Sequence, residues 1–496
     1  ATNFVADVTE SFFLNNDVTS QRVTGGPSPD QRLLSQFGRI NYSYAGKYLA
    51  SATIRRDGSD RFGPANKWGV FPAFSAGWRI SEEGFFDQGG FISSMQLRAS
   101  YGALGNIGAI PQYLYQVSYS PQNFHALGDG RAVQWEEVKT TDFGVDFGLL
   151  DQRLTVTMDW YKRLTSDMIY QLPLPMSSGY VAGRLLASNP VFTNIGELSN
   201  TGLEIGANYE QSVGDLQMNF GLTGAFNKNK VVSLDGSGTK SINDGVGGQY
   251  LSNSISRTVD GQPMSQFFGY VVEGIFATDQ EAQERGVVQD GAGAGDLIYK
   301  DVNGDGVITQ DDRDFIGNPW PKLNFGININ MKYRGFDLAL AFQGVSGVDL
   351  YNANRHYSDF LAGDYNSSPE VFKASFFDGN GLTSVPRLGF TDVNGNYQRD
   401  PNANYTNISS YFVENGSYLK LRNLQFGYSF PTAALSNIKV SALRIYLMAD
   451  NFLTFTKYKG VDPEVLGEGT VGSRGIDFNS RYPQTTFVSA GFNLSF

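Results

Sequence analysis

Hydrophobic and polar residues alternate with a period of two over many stretches of the chain. In residues 323–333, every second residue is hydrophobic, and the residues between are mostly Asn, Gly or Lys. Successive side chains of a β-strand point to opposite faces, so this pattern predicts strands with one apolar and one polar face. About thirteen such strands are predicted, near residues 33–45, 47–58, 67–80, 94–104, 138–149, 152–164, 197–210, 214–228, 320–333, 336–347, 416–430, 440–454 and 484–496.

Two stretches refine this count. The alternation changes phase between Leu421 and Leu424, which predicts a β-bulge in the strand at 416–430. Residues 2–13 are expected to contain the end of one more strand, which raises the total to about fourteen. No stretch of useful length has the period of a helix, so the sequence predicts an all-β fold.

The connections between the predicted strands alternate between short and long. Some are tight turns, such as Ala45–Gly46 and Arg334–Gly335, and the two connections of intermediate length, 81–93 and 431–439, fall on the short side. The long connections are 105–137, 165–196, 229–319, 348–415 and 455–483. Bacterial outer-membrane barrels have short periplasmic turns and long extracellular loops. We therefore predict a transmembrane antiparallel β-barrel with extracellular long loops and a periplasmic C-terminus. A soluble antiparallel β-protein is the alternative.

The composition agrees with a large β-protein rich in turns. Glycine accounts for 58 of 496 residues and aromatic residues for 14%, whereas only 18% of residues are charged. The net charge of −11 argues against a protein that binds nucleic acid through phosphate contacts. The absence of cysteine excludes disulfides, thiolate metal sites and a cysteine nucleophile. No apolar run reaches the roughly 18 residues of a membrane helix, but a barrel strand needs only about 10 alternating residues.

The end of the chain carries a pattern of its own. Alternation continues through Phe492 and Leu494 to the last residue, Phe496. A strand that ends on an aromatic residue suits a barrel whose last strand pairs with its first, because a soluble fold would leave that strand edge exposed. We interpret Phe492, Leu494 and Phe496 as a barrel-assembly signal.

Residues 301–312 match the spacing of a calcium-binding loop. Asp301, Asn303 and Asp305 place side-chain oxygens at positions 1, 3 and 5, and Val307 places a backbone carbonyl at position 7. Asp312 occupies position 12, where an EF-hand has Glu, and the shorter side chain is expected to lower the affinity. We predict a structural Ca²⁺ site that stiffens the longest loop; an Asn/Gly turn without metal is the alternative.

Signatures of catalysis are missing from the sequence. The two histidines, His125 and His356, lie in predicted long loops and form no zinc-binding pair. The chain has no G-x-S-x-G motif and no phosphate-binding P-loop. We therefore predict that the chain is not an enzyme. Aromatic residues of the long loops could contact sugars or peptides, or could pack within the loops; these are Tyr115, Phe124, Tyr180, Tyr351, Tyr357 and Tyr365.

Several longer segments resemble one known family. They are residues 38–88, LRASYGALGN (97–106), NIGELSNTGLEIG (194–206), DVNGDGVITQDDRDFIGNPWPKLNFGININ (301–330), YLKLRNLQFGYSFP (418–431), VDPEV (461–465) and the closing strand. In this order they resemble the SusC-like (RagA-like) TonB-dependent transporters of the Bacteroidetes outer membrane. The resemblance extends over roughly residues 36 to 496.

This resemblance implies a barrel of about 22 strands that imports oligosaccharides or peptides. A plug domain fills the lumen in the family, an N-terminal segment recruits TonB–ExbB–ExbD, and a SusD-like lipoprotein caps the extracellular mouth. Residues 1–496 are then the C-terminal portion of such a barrel with its long extracellular loops. The plug domain and the TonB box are absent from them and are expected in the missing N-terminal portion, either in the same gene product or in a second chain.

The function expected from the resemblance is active import across the bacterial outer membrane, in contact with its lipid. The substrate is an oligosaccharide or a peptide, and the sequence does not separate the two classes. Two alternatives stay open. One is a structural or adhesion protein that uses this barrel without transport, and the other is a secreted β-rich protein that binds or hydrolyses glycans.

Overall fold

The computed structural model describes residues 12–16, 24–27, 32–87, 89–108, 110, 118–119, 126–127, 133–172, 191–234, 241–245, 254–359, 368–374, 384–391, 394–395, 397–400, 402–435, 440–465, 471–478 and 484–496. Strands dominate this part of the chain, as the alternation predicts. None of its helices has both the length and the apolar character needed to cross a membrane.

Thirteen strands form one antiparallel sheet, which we call the wall. They are β1 (Leu33–Tyr44), β2 (Tyr48–Ser59), β3 (Trp68–Arg79), β4 (Ile92–Asn106), β5 (Glu136–Leu149), β6 (Leu154–Ser166), β7 (Glu197–Val213), β8 (Leu216–Ser233), β9 (Leu323–Tyr333), β10 (Phe336–Ser346), β11 (Tyr418–Ser429), β12 (Ala442–Thr456) and β13 (Phe487–Ser495). Their spatial order is their order along the chain. The thirteen predicted strands are confirmed, and their ends differ by a few residues; β8, for example, extends to Ser233 rather than 228.

The pairing register separates an apolar from a polar face of the wall. On β6, Met158 lies opposite Val145 of β5 and Ile205 of β7, whereas the next residue, Asp159, lies opposite Gly144 and Glu204. A shift of one residue would exchange the two faces, so the apolar stripes specify this register. The prediction from period-two alternation is confirmed.

The predicted bulge lies in β11. Leu421 pairs with Phe342 and Asn423 with Ala341, so Arg422 is the extra residue of the bulged strand. A second shift lies on the other side of β11, where two residues of β12, Asn451 and Phe452, lie opposite Arg422. Because of the bulge, Lys420 and Asn423 can both belong to the polar face although they are three residues apart.

The tight turns lie at one edge of the wall and the five long connections lie at the other. Arg334 and Gly335 have φ angles of 47° and 89° and join β9 to β10 as a two-residue hairpin, which has the left-handed backbone of a type I′ turn. Since every wall strand is antiparallel to its neighbour in the chain, alternate connections must lie at the same edge. We call these edges the turn edge and the loop edge.

Small elements occur within the connections. Paired short strands are Phe12–Asn16 with Thr24–Pro27, Ser118–Tyr119 with Ala126–Leu127, Ile169–Leu172 with Val191–Asn194, Val272–Ile275 with Leu297–Tyr299, and Gly389–Thr391 with Tyr397–Arg399. Ser241–Asp244, Ser256–Val259, Gln266–Tyr270 and Arg313–Gly317 form a four-stranded sheet, and Val413–Asn415, Asp349–Asn352 and Ile476–Asp477 a three-stranded one. The helices are α1 (Asp279–Glu284), α2 (Arg355–Ser358), α3 (Pro369–Ala374) and α4 (Thr432–Leu435), with 3-10 turns at Ile80–Glu82, Gln310–Asp312, Ser410–Phe412 and Val471–Ser473. The extra strand expected at 2–13 falls mostly outside the described residues.

The long connections between β8 and β9, β10 and β11, and β12 and β13 pack together at the loop edge. Their common hydrophobic core contains Ile255, Phe267, Tyr351, Ala353, Ile408, Phe412 and Ile476. A parallel pairing of Tyr351 with Ile476 and a backbone bond from Tyr351 to Gly475 join two of the connections directly. We call this assembly the loop layer.

Candidate functional site

Loop aromatics contribute to the interior of the loop layer. Tyr351 is fully buried and Tyr357 is 4% exposed, so both pack within the layer rather than face solvent. For these two residues the packing interpretation is confirmed and the substrate-contact interpretation is wrong. Tyr115, Phe124, Tyr180 and Tyr365 lie outside the described residues.

The predicted metal ligands come together in one loop. Carboxylate oxygens of Asp301, Asp305 and Asp312 all lie within 4.8 Å of one another. Asp301 accepts hydrogen bonds from the amides of Gly304 (2.7 Å) and Gly306 (2.8 Å). These glycines have φ angles of 78° and 83°, a left-handed backbone that lets the loop curl around the Asp301 carboxylate.

The remaining predicted ligands lie on the same loop. Asn303 Oδ1 accepts from the Asp305 amide, and Asp305 Oδ1 accepts from the Val307 amide, each at 2.9 Å. Val307 also forms a parallel β-bridge with Val288, which ties the loop to the preceding segment. The geometry therefore brings together three carboxylates, the hard oxygen ligands that Ca²⁺ prefers, on the loop that also carries Asn303.

Asp312 is held in place by the backbone. Its carboxylate is fully buried and accepts from the amides of Val302 (2.9 Å) and Thr309 (2.7 Å). Burial opposes ionisation of this carboxyl, but the amide hydrogen bonds outweigh it and hold its pKa below the usual range. Thr309 and Asp312 form a capping box on the 3-10 turn Gln310–Asp312. The Thr-x-x-Asp spacing in the sequence is the signal of this cap.

Lys420 lies at the centre of a second polar cluster. Its side chain is buried, and its Nζ contacts Asp462 Oδ1 (2.8 Å), Glu464 Oε2 (2.9 Å) and Gln484 Oε1 (3.1 Å). Arg422, the bulge residue, donates to Glu464 and to Gln484. Burial raises the pKa of Glu464, but the cations Lys420 and Arg422 outweigh this effect and lower it. The cluster fastens the VDPEV segment to the wall, and sequence reasoning missed it because the partners are 42 or more residues apart.

Another buried ion pair lies deep in the loop layer. The Arg387 guanidinium contacts both carboxylate oxygens of Asp296, and Asn404 Nδ2 donates to Asp296 Oδ1 at 2.9 Å. These three residues come from two different long connections. No local sequence pattern signals this pair.

His125 lies outside the described residues, and His356 packs inside the loop layer. Its Nδ1 contacts the Tyr405 carbonyl, which only accepts, so Nδ1 carries the proton and Nε2 accepts from the Tyr351 hydroxyl at 2.9 Å. Burial lowers the pKa of His356 to about 3. The ring stacks on Phe412 with centroids 3.6 Å apart. A neutral, fully packed imidazole is a structural residue.

The polar face of the wall carries ion pairs that join adjacent strands and strands one position further apart. Arg98 of β4 contacts Asp146 of β5 (2.7 Å) and Asp159 of β6 (2.8 Å). Arg444 of β12 contacts Asp337 of β10 at 2.5 Å. These charges lie on the polar face that the alternation of the sequence predicts.

The proposed assembly residues lie on or beside the last strand. Phe492 and Leu494 belong to the apolar face of β13, opposite Ile445 and Leu443 of β12. Phe496 follows the strand and is 90% exposed. Within the described residues, β1 and β13 are the two edge strands of the wall.

Known proteins resemble this chain along almost all of its length. The chain is 31% identical over 98% of its residues to TonB-dependent receptor P3 of Formosa agariphila, and covers 48% of that protein. It is 28% identical over 94% of its residues to TonB-dependent receptor SusC of Bacteroides thetaiotaomicron, and covers 44% of it. The structure of the RagAB peptide transporter superimposes on 97% of this chain with a TM-score of 0.77 at 23% identity, and 49% of that chain is covered. The last comparison concerns the fold alone.

The chain spans about half the length of the curated relatives it matches. Their names are those of receptors, which agrees with the prediction of a chain that is not an enzyme. TonB-dependent receptor barrels are outer-membrane proteins, and residues 3–268 match the family described as TonB dependent receptor-like, beta-barrel. The alternating strands, the single antiparallel wall and the family match lead to one assignment: the chain belongs to the TonB-dependent receptor-like β-barrels.

Proposed function

We propose that this chain forms barrel wall and binding loops of an outer-membrane transporter that imports oligosaccharides or peptides with energy supplied through TonB. The observation that carries the proposal is the 31% identity to a TonB-dependent receptor over 98% of the chain. A wall with one apolar and one polar face suits this role, because one face can contact lipid and the other a water-filled lumen.

The proposed orientation follows from the two edges of the wall. The loop edge faces the extracellular medium, and the turn edge and the C-terminus face the periplasm. The difference in length between the connections supports this assignment, since outer-membrane barrels have short periplasmic turns.

The proposed partners come from the family resemblance. A SusD-like lipoprotein covers the loop layer, and TonB–ExbB–ExbD acts through a plug. The plug and the remaining strands belong to the part of the transporter outside residues 1–496. This agrees with the half-length coverage of the relatives. The proposed substrate is either a peptide or an oligosaccharide. The name of the RagAB neighbour specifies peptides, and the family resemblance also includes oligosaccharides.

We further propose that the loop at residues 301–312 binds one Ca²⁺ ion. Asp301, Asn303, Asp305, the Val307 carbonyl and Asp312 are the proposed ligands. The convergence of three carboxylates within 4.8 Å supports the site, because such a cluster is stabilised when a cation balances its charge. The ion would fix one part of the loop layer and take no part in chemistry.

The test is substrate uptake by cells that express the full-length protein with its lipoprotein partner. Labelled peptides and labelled oligosaccharides are supplied separately, in cells with and without TonB. Uptake of one class that depends on both the protein and TonB supports the proposal. Equal uptake with and without the protein would favour the structural or adhesion alternative. A full-length protein that stays soluble without detergent would favour the secreted glycan-binding alternative.

A further inference from the structure

The apolar face of the wall contains a groove between two pairs of aromatic rings. Ala76 of β3 and Ala99 of β4 lie opposite each other and form its floor. Their small methyl groups lie in a depression of about 720 Å³ that larger apolar side chains line. Ligand pockets in proteins range over about 300–1,000 Å³, so the groove has the size of a binding site.

Stacked aromatic pairs form the two sides of the groove. Tyr48 and Trp78 have ring centroids 6.4 Å apart with planes inclined by 13°, and Phe143 and Trp160 have centroids 6.0 Å apart with planes inclined by 27°. Each ring therefore has a neighbour that restricts its rotation. The groove exists before any ligand enters, and filling it requires no change in the wall.

A polar cluster lies at the end of the groove nearest the turn edge. Glu83, in the connection between β3 and β4, accepts hydrogen bonds from Tyr48 Oη (2.7 Å), Trp78 Nε1 (3.1 Å) and Lys47 Nζ (3.0 Å). The same two aromatic residues thus form a side of the apolar groove and contact a charged group at its end. An ammonium has three N–H donors, so Lys47 can hold Glu83 and a phosphate oxygen together.

The surroundings determine which ligand fits. The groove is continuous with the apolar face that a TonB-dependent receptor barrel presents to the membrane, so hydrocarbon is the medium at this surface. Its lining is almost entirely apolar, whereas a protein partner would need polar contacts for its backbone. A long flexible chain that ends in a phosphate matches both the groove and the ammonium of Lys47 at its end, which also pairs with Glu83.

We propose that this groove binds one acyl chain of a phospholipid from the leaflet at the turn edge, with its phosphate at Lys47. The bound chain fills the space above Ala76 and Ala99 and contacts the rings of Trp78 and Phe143. One lipid molecule then stays bound at this position of the wall, while the lipids around it exchange freely.

The test is native mass spectrometry of the full-length protein in detergent during titration with phosphatidylethanolamine. Ala99→Leu fills the floor of the groove, whereas Ala207→Leu makes the same change on the apolar face at a position outside it, opposite Val156 and Leu222. We expect Ala99→Leu to weaken the tightest lipid-binding step about tenfold and Ala207→Leu to leave it unchanged. Equal retention by the wild type and both variants would overturn the proposal.

The headgroup is tested with Lys47→Gln. We expect weaker binding of phosphatidylethanolamine and unchanged binding of diacylglycerol, which lacks the phosphate. Lipid A that displaces the phospholipid one for one would overturn the assignment to a phospholipid. Heat-modifiable migration on gels is measured for every variant, so that a misfolded barrel is recognised before its lipid binding is interpreted.

Discussion

The ammonium of Lys420 lies 2.8 Å from Asp462 Oδ1 and thereby joins wall strand β11 to the connection that precedes β13. Lys420→Met keeps the aliphatic stem but leaves Asp462 and Glu464 without this cation. Since unpaired buried charges are costly, we expect the VDPEV segment to lose about 3 kcal/mol of protection against opening. Hydrogen exchange of peptides covering 457–465 measures this loss.

Lys459→Met is the control for this experiment. Lys459 lies in the same connection and is exposed, so its removal tests charge without burial. Similar exchange in both variants would show that general loop charge, rather than the buried contact, holds the segment.

A second prediction concerns the proposed Ca²⁺ site. Removing divalent ions with a chelator should increase proteolytic cleavage within residues 229–319, because the clustered carboxylates of Asp301, Asp305 and Asp312 then repel one another. The Asp305→Asn variant should be cleaved faster than the wild type before chelation, and the chelator should change its cleavage rate little. Cleavage rates are followed by mass spectrometry with and without added Ca²⁺.

Asp311→Asn serves as the matched control for the metal site. Asp311 is adjacent to Asp312 but exposed, and its backbone amide donates to Thr309 Oγ1. This variant should respond to chelation like the wild type. Unchanged cleavage of the wild type after chelation would contradict the site.

The third prediction is a pH dependence of the loop layer. Folded His356 has a pKa of about 3, against an ordinary value of 6.5, so the unfolded layer binds a proton in this interval that the folded layer does not. The contribution of neutral His356 to the stability of the loop layer is therefore fully present above pH 6.5. It is lost as the pH falls toward 3, by up to about 1.4 kcal/mol per pH unit. Hydrogen exchange of residues 350–357 between pH 7 and 5 measures the slope.

His356→Phe keeps a ring beside Phe412 and removes the titrating group. The loop layer of this variant should be less stable than that of the wild type at pH 7, because Tyr351 and Tyr405 lose a hydrogen-bond partner. Its stability should, however, change less between pH 7 and 5. An equal slope in the variant and the wild type would assign the pH dependence to other groups.

The fourth prediction compares neighbouring residues of β10. Leu340 belongs to the apolar face and Ala341 to the polar face. Leu340→Lys places a charge against lipid and should destabilise the full-length barrel by about 2–4 kcal/mol, whereas Ala341→Lys should cost much less. Urea unfolding in lipid vesicles measures both. A larger cost for Ala341→Lys would reverse the assignment of the faces.

The fifth prediction concerns the assembly signal. Deletion of Phe496 should lower the amount of barrel inserted into the outer membrane, because the last strand then lacks its exposed aromatic end. Phe496→Tyr keeps an aromatic ring and should insert normally. Surface labelling of cells that express the full-length protein measures insertion, and normal levels after the deletion would contradict the signal.

The wall could be predicted from the sequence because the pattern that specifies each strand lies within that strand. Alternation at 323–333 gives β9, and the phase change after Leu421 gives the bulge, without knowledge of any partner strand. The carboxylates of the 301–312 loop are likewise close in sequence, so their convergence followed from spacing alone.

The loop layer could not be predicted in the same way. Asp296 and Arg387 are 91 residues apart, and Lys420 contacts acids 42 and 44 residues away. Such pairs depend on how separate connections fold against each other, and no periodicity encodes that arrangement. The same reason explains why Tyr351 and Tyr357 could be read in two ways from the sequence.

The equality of spatial and chain order in the wall has a consequence for how such barrels can change. Every wall strand bonds only to the strands before and after it, so the sheet is a string of hairpins without crossings. A gene duplication or deletion of one hairpin would alter the circumference by two strands and leave all other pairings intact. Residues of the loop layer, such as Tyr351 and Ile476, join different connections to each other and would resist such an edit. Changes in the number of wall strands during evolution are therefore limited by contacts between the loops rather than by pairing between the strands.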